Sequence, residues 1–415
     1  MKRFSWTELF MDEKQDDSFK KEHLFHLDEI FYDFWSLGRN ILLGWAPSPG
    51  GLDALVVPHF TIGEAVFAQQ PANAAEAAQG RPSAVIPDML QAIVAGSKML
   101  PLETLHQIAR KLDCEPRHVD LPFALGKDLP YRIISSLVKR YSITFVTDRA
   151  VALFDVVGFS RHSPLEQAVQ LNSLAYSVNT AYSKLLDREI KIRFARTTTG
   201  DGFYIWNRDR SLHANIDLYH FMHLVLADNA IARSKTRSHV APLLRGGFHI
   251  GGHYEFYQSE GLNPTTFSYI VGDVTIELAR MIEQARPGQI LIGDFHVLMP
   301  KPPSDQGEKL DAIDFIDHAQ ERLSSLEGMV LGGEPVAAIK CYITGAGQKD
   351  DGYDISKYQL KDKHGFLHQV FNAKVNIHRI NGDPIFLGIQ NADLSDFGVA
   401  RWSFKKQSRP LPPSG

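Results

Sequence analysis

VALFDVVGFSRHSPLE, residues 151–166, decides how the chain is read. The run from Val151 to Val156 is apolar except for Asp155, and a glycine, Gly158, follows it. A short apolar run closed by a turn signal reads as a buried strand. Ser163-Pro164-Leu165-Glu166 then reads as an N-cap, a first-turn proline and a capping-box glutamate. A helix must follow, and Leu165, Val169, Leu171, Leu174, Val178 and Leu185 are expected to form its apolar face. Asp155 therefore stands at the end of a buried strand, where an unpaired carboxylate is costly.

Working outward, IKIRFARTTT (190–199) and GFYIWNR (202–208) read as two strands joined at Gly200-Asp201. A helix is expected near 215–233, a strand at LLRGGFHIG (243–251), a helix near 273–285, and a strand at GQILIGD (288–294) after the turn Arg286-Pro287-Gly288. The order is close to βαββαβ with one additional helix, which predicts an α+β fold built on a ferredoxin-like sheet with helices on one face. Asp201, in the turn, and Asp155 then lie on adjacent strands and converge. Hard divalent cations use few protein carboxylates and complete their shell with phosphate and water. Two such ions can activate an attacking hydroxyl and neutralise a leaving pyrophosphate.

The remainder of the chain sets bounds. Its 415 residues allow two or three domains. Residues 1–140 read as a mainly helical N-terminal domain, 141–400 as the catalytic domain, and 401–415 as a disordered tail. Leu24 to Trp45 reads as a helix packed against protein, with a membrane-surface helix as the alternative. PANAAEAAQGRP (71–82) reads as a loop, and Leu102, Leu105, Ile108, Ala109 and Leu112 recur at helical spacing. A net charge of -4 gives no reason to expect nucleic acid binding. The two cysteines, Cys114 and Cys341, form no disulfide framework and no zinc spacing, so a reducing cytoplasm is the expected compartment. No apolar run reaches membrane-spanning length.

Five stretches, in order, resemble the class III adenylyl and guanylyl cyclases. LFDVVGFS (153–160) is similar to their first metal motif, and TTTGDGFYI (197–205) to the second. LRGGFHIGGHY (244–254) is similar to their Arg-x-Gly-x-His-x-Gly strand. YIVGDVTIELARMIEQARPGQILIGD (269–294) resembles their Gly-Asp-x-Val-Asn-x-Ala-x-Arg helix and the strand after it. YQLKDKHGF (358–366) resembles the closing Leu-Lys-Gly strand. The resemblance implies Asp155 and Asp201 as ligands of two Mg2+ or Mn2+ ions, Arg245 as a phosphate contact, and Arg280 as the arginine that stabilises charge at the α-phosphate. It implies Lys361 at the outer phosphates, with Lys363 as the other candidate. At the base-reading positions stand Thr197 and Tyr269, where adenylyl cyclases carry Lys and Asp; the ribose-orienting asparagine is replaced by Ile276.

The expectation that follows is a nucleotidyl cyclase, a lyase that turns a nucleoside triphosphate into a 3',5'-cyclic nucleotide and pyrophosphate. It would work as a homodimer with the site shared between chains, and ATP, GTP, UTP and CTP all remain open. The alternative is a degenerate cyclase-like module that binds a nucleotide and regulates its N-terminal domain. A transcription regulator using residues 100–125 would need a basic recognition helix, which does not follow.

Overall fold

In the computed structural model of the protein, the described residues are 21–67, 85–236, 240–259, 266–301, 304–345 and 354–405. The loop expected at 71–82 lies outside them. The chain divides into two compact units, Met1–Val146 with Tyr254–Ile270, and Thr147–His253 with Val271–Gly415. The first division falls after Val146, where 140 was expected. The return of Tyr254–Ile270 to the first unit had no counterpart in the sequence reading.

The first unit begins with α1 (Lys21–Trp35), whose buried residues Leu24, Leu27, Phe31 and Trp35 follow the helical period. The helix expected to reach Trp45 stops at Trp35. Ser36 (φ 49°), Leu37 (φ 56°) and Gly38 (φ 88°) take left-handed backbone, which no right-handed helix can continue. A three-stranded antiparallel sheet follows, formed by β1 (Asn40–Ser48), β2 (Gly51–Pro58) and, later, β3 (Arg117–Asp120). Between and after these run α2 (His59–Phe67), α3 (Val85–Ala95), α4 (Leu102–Lys111) and α5 (Tyr131–Arg140). Strand side chains alternate between two cores. Leu42, Trp45, Leu52, Ala54 and Val56 pack with α1 and α5, while Ile41, Leu43, Leu55 and Val57 pack with α3 and α4. Helices dominate this unit by length, and the sheet they enclose is what the sequence reading lacked.

The second unit is built in the order β4 (Thr144–Val156), α6 (Pro164–Leu186), β5 (Phe194–Thr198), β6 (Gly202–Asn207), α7 (Leu212–Lys235) and β7 (Leu244–Ser259). After β8 (Thr266–Val271), which lies in the first unit but for Val271, the path resumes with α8 (Asp273–Gln284) and β9 (Ile290–Gly293). The remaining elements are β10 (His296–Lys301), β11 (Ser304–Asp311), α9 (Ala312–Arg322), β12 (Val330–Leu331), β13 (Glu334–Ile343), β14 (Asp354–Lys361), β15 (Leu367–Arg379), β16 (Ile385–Leu387) and β17 (Ala400–Lys405). The main sheet runs β12-β13-β15-β9-β7-β4-β6-β5. Its β7-β4-β6-β5 portion places the fourth, first, third and second strands of the βαββαβ unit side by side, the ferredoxin-like arrangement. Residues 401–405, expected in a disordered tail, pair with β14 instead, as in Tyr358↔Arg401; the tail from 406 lies outside the described residues.

α6 starts on the expected capping box: Ser163 Oγ accepts from the Glu166 amide, and the Glu166 carboxylate accepts from Ser163 N. Its buried stripe is Leu174, Val178, Ala181 and Leu185. Leu165 is 75% exposed and Val169 39%, so neither belongs to it. At about 100° per residue, Leu165 lies on the side opposite Leu174. α8 departs from the single helical layer that was expected. A Cβ on Gly246 would meet Leu226 of α7 at 3.3 Å, whereas one on Gly247 would meet Leu278 of α8 at 3.1 Å. Adjacent strand residues face opposite ways, so α7 and α8 cover opposite faces of the sheet. Among the described residues no helix is long and apolar enough to cross a membrane.

At Gly202 an added Cβ would lie 1.9 Å from the Phe154 carbonyl oxygen. Gly202→Ala should therefore push β6 from β4 and cost about 1–3 kcal/mol, as forced overpacking does. Chemical denaturation measures this, and an unchanged midpoint would contradict the β4–β6 register.

Candidate active site

β4 alternates between the two faces of the sheet. Ala152, Phe154 and Val156 join the core under α6 and α7. Leu153 and Asp155 therefore point to the face that α8 covers, and Leu153 Cβ lies 3.8 Å from where a Cβ on Gly247 would stand. Arg245, two residues before Gly247 on the neighbouring strand, shares that face. Its Nε and Nη2 both donate to Asp155 Oδ2, at 2.8 and 2.6 Å, and its Nη1 donates to the Ala285 carbonyl at 3.2 Å. Asp155 is 7% exposed. Burial pushes its carboxyl above the usual value, the Arg245 charge and hydrogen bond oppose this, and the nearby Asp201 charge adds to the rise.

Asp201 occupies the β5–β6 turn. Gly200 (φ 100°) supplies a backbone angle that side chains disfavour. The Val156 amide donates to the Asp201 carbonyl at 3.0 Å, which ties the turn to the end of β4. Asp201 is half-buried, and Thr199 Oγ1 donates to its Oδ1 at 3.1 Å. Burial and the Asp201 charge push the Tyr204 phenol up to about 12, so its hydroxyl stays protonated and donates to the Thr275 carbonyl of α8 at 2.9 Å.

The structure thus places the two sequence-predicted carboxylates together. Among the described residues no group of three or more His, Cys, Asp or Glu side chains is arranged to hold a metal. Two carboxylates, one with Oδ1 left over by Arg245, fit an ion that draws most of its shell from phosphate and water, as Mg2+ does. They do not make a closed thiolate or imidazole site.

A second cluster forms around α8 and the β14–β15 hairpin. Arg280 Nε lies 3.3 Å from Asp362 Oδ2, and its Nη1 lies 3.7 Å from Glu283. Lys361, at the end of β14, is exposed and lines a polar cleft of about 320 Å³ with Gln284, Arg286 and Asp396. Lys363 Nζ lies 3.9 Å from Glu283. Among the described residues no ion pair joins Asp155 or Asp201 to Arg280 or Lys361. Thr197 is half-buried opposite Tyr204 on β6. Tyr269 belongs to the first unit, where it is 37% exposed and stacks on Phe256. Ile276 is 51% exposed on α8.

Sequence reasoning missed three things. It took Arg245 for a phosphate contact alone, whereas the guanidinium holds Asp155. It gave Asp362 no role, yet Asp362 is 6% exposed and accepts from the amides of His364 and Phe366, both at 2.9 Å. It also passed over His368, whose Nδ1 lies 2.7 Å from Glu277 and whose Nε2 lies 3.4 Å from Asp362. The available signal was an aspartate three residues before a glycine, the pattern of a turn closed by its own side chain.

No family model matches the chain, and no curated protein matches it. Solved structures similar to it are catalytic domains of guanylyl and adenylyl cyclases. The guanylate cyclase domain of RhGC from Catenaria anguillulae, in complex with GTP, is 12% identical with a TM-score of 0.32, covering 57% of this chain and 98% of that one. The adenylyl cyclase CyaB from P. aeruginosa is 12% identical with a TM-score of 0.31, covering 58% and 97%. The non-canonical dimeric guanylyl cyclase domain of the RhoGC fusion protein from the aquatic fungus Blastocladiella emersonii is 16% identical with a TM-score of 0.29, covering 40% and 96%. Likeness at this level assigns no chemistry; the residues above carry the site.

Arg245→Met should lower stability at pH 7 by about 3 kcal/mol, the low end of what removing one partner of a buried ion pair costs. It also removes what lowers the Asp155 pKa, so that carboxyl rises further above 3.8. The native state then keeps a proton that the unfolded chain has lost, and stability falls as pH rises through the interval above 3.8. Denaturation of Arg245→Met should thus show stability recovering as pH is lowered towards 3.8, and the double variant Asp155→Asn/Arg245→Met should lose that dependence. A flat profile in the single variant would contradict the pairing.

Proposed function

We propose that this protein is a nucleotidyl cyclase that converts a nucleoside triphosphate to a 3',5'-cyclic nucleotide and pyrophosphate. The observation that carries the reading is the convergence of Asp155 and Asp201, one at the end of β4 and one in the turn tied to it by the Val156 amide. Asp155 and Asp201 would hold two Mg2+ or Mn2+ ions, which when bound polarise the reacting phosphate and the attacking hydroxyl. Arg280 meets the α-phosphate with terminal nitrogens suited to a pair of oxygens. Lys361 meets the outer phosphates as a point charge. Thr197 lies where the base would be read, through its hydroxyl. The roles of Arg280, Lys361 and Thr197, like those of Arg245 at phosphate and Tyr269 at the base, come from the sequence resemblance. In the chain by itself, the Arg245 guanidinium is occupied by Asp155 and the Ala285 carbonyl. Catalysis on this reading is positioning and charge stabilisation.

Among the described residues no ion pair joins the cluster of Asp155 and Asp201 to that of Arg280 and Lys361. The resemblance implies a homodimer in which each site takes the carboxylates from one chain and the basic residues from the other, under the two-fold symmetry common among soluble oligomers. A second reading, a nucleotide-binding regulatory module without catalysis, is favoured by Ile276, an exposed apolar residue where a ribose hydroxyl would need a partner.

Incubation of the purified protein with ATP, GTP, UTP and CTP in turn, with Mg2+ or Mn2+, separates the two readings by the mass of the product. Asp155→Ala and Asp201→Ala should each lower turnover at least a thousandfold, on the order of the several kcal/mol that an ion contributes to the transition state. Normal turnover in either variant would remove the two-ion reading; binding without product would favour the regulatory module.

The shared site has its own test. Asp201→Asn and Arg280→Ala should each be inactive alone. A heterodimer of the two contains one wild-type site and one doubly damaged site, so mixing should restore up to about half the activity per dimer. A verified heterodimer without activity would rule out sites shared between chains.

A further inference from the structure

The proposed α-phosphate arginine does not project freely from α8. Glu277, Arg280 and Glu283 recur at three-residue spacing along one side of the helix. Opposite them, the β14–β15 hairpin presents Asp362 and His368. The Asp362 side chain is 2% exposed, far less than the 61% of Lys363 beside it. Its two oxygens are divided. Oδ1 accepts from the His364 and Phe366 amides and closes the turn. Oδ2 faces Arg280 Nε at 3.3 Å and His368 Nε2 at 3.4 Å. His368 is braced from behind by Glu277, 2.7 Å from its Nδ1. Burial works against ionisation of Asp362, but the Phe366 and His364 amides, with His368 and Arg280, hold its carboxyl below the usual value.

The ion pair at Nε orients the guanidinium from one side, and Glu283, 3.7 Å from Nη1, from another, with Nη2 at the far end. The two terminal nitrogens are the pair that matches two oxygens of a phosphate. An arginine on a helix otherwise swings through many rotamers. In the resembled Leu-Lys-Gly strand, Asp362 stands in the glycine position, which has no side chain to offer. We infer that Asp362, steadied by the Glu277–His368 pair, is a positioning residue that fixes the guanidinium of Arg280 for bidentate capture of a triphosphate. The inference rests on the cyclase reading for the identity of the anion, though not for the anchor itself.

Asp362→Asn is the discriminating variant. It keeps Oδ1 and both turn amides and replaces the acceptor at Oδ2 with a donor that opposes Arg280 Nε–H. Thermal unfolding should confirm that the variant folds. His368→Gln leaves the turn untouched and gives a second handle, with a smaller effect in the same direction. The first readout is the Arg280 Nε–H resonance in protein labelled at arginine nitrogens, identified by its loss in Arg280→Lys. It should be protected from exchange in the wild type and lose protection in Asp362→Asn. The second readout is kinetic: kcat should fall about tenfold to a hundredfold, with KM changed much less, because the contact matters most where charge develops. An unchanged Arg280 resonance overturns the inference whether or not the chain is a cyclase. A changed resonance with unchanged kcat overturns it as well, since the contact is then only structural. If the wild type binds triphosphate but makes no cyclic product, the cyclase reading fails. The positioning role is then read as weakened triphosphate affinity in Asp362→Asn, and unchanged affinity overturns it.

Discussion

A carboxylate at the inner end of a central strand is the constraint on which the second unit depends. Asp155 cannot face the core under α6 and α7, because that side of β4 is filled by Ala152, Phe154 and Val156. It can lie on the α8 face only with a counter-charge, and Arg245 provides one from the next strand. For both strands to carry side chains that meet, β4 and β7 must be neighbours with their alternation in phase. A slip of one residue in either strand would bury Arg245 or Asp155 among aliphatic groups. The ion pair therefore helps to specify register as well as to prepare a site.

Glycines make the remainder of the geometry possible. Gly202 brings β6 against the Phe154 carbonyl, and Gly246 and Gly247 let a helix approach on each face. Gly293 accommodates the His249 ring, which would lie 1.9 Å from an added Cβ. With the sheet so thinned, α8 can rest close to β4 and β7. Its C-terminal carbonyl, Ala285, takes a hydrogen bond from Arg245, while its outer side carries Arg280. One helix thus touches both halves of the proposed chemistry.

The sequence was most legible where a local rule had one outcome. The capping box at Ser163–Glu166, the Gly200-Asp201 turn and the strand at 151–156 all appear as read, because each rests on backbone geometry that few residues satisfy. Legibility failed where a distant partner decided. Leu24 to Trp45 is uniformly rich in apolar residues, and composition does not distinguish a helix from a helix followed by a buried strand; the left-handed Ser36, Leu37 and Gly38 decide it. Leu165 and Val169 are apolar but out of phase with Leu174. The burial of Asp362 is set by α8, about eighty residues earlier in sequence, so nothing in KDKHG itself reveals it.

The pairing of Asp155 with Arg245 also bears on how the protein can be handled before any ion is present. In domains whose metal ligands have no other partner, the ion is part of the folding free energy, and a chelator unfolds them. Here the more deeply buried ligand candidate is already neutralised from within, and the second, Asp201, is held by a turn whose hydrogen bonds are protein's own. On the proposed reading Asp155 needs no cation for neutralisation, since Arg245 already supplies the counter-charge. On that reading an ion at Asp155 Oδ1 would lie beside the guanidinium on Oδ2, which lowers its affinity in isolation. Such an arrangement favours uptake of cation and polyphosphate together over accumulation of the bare ion.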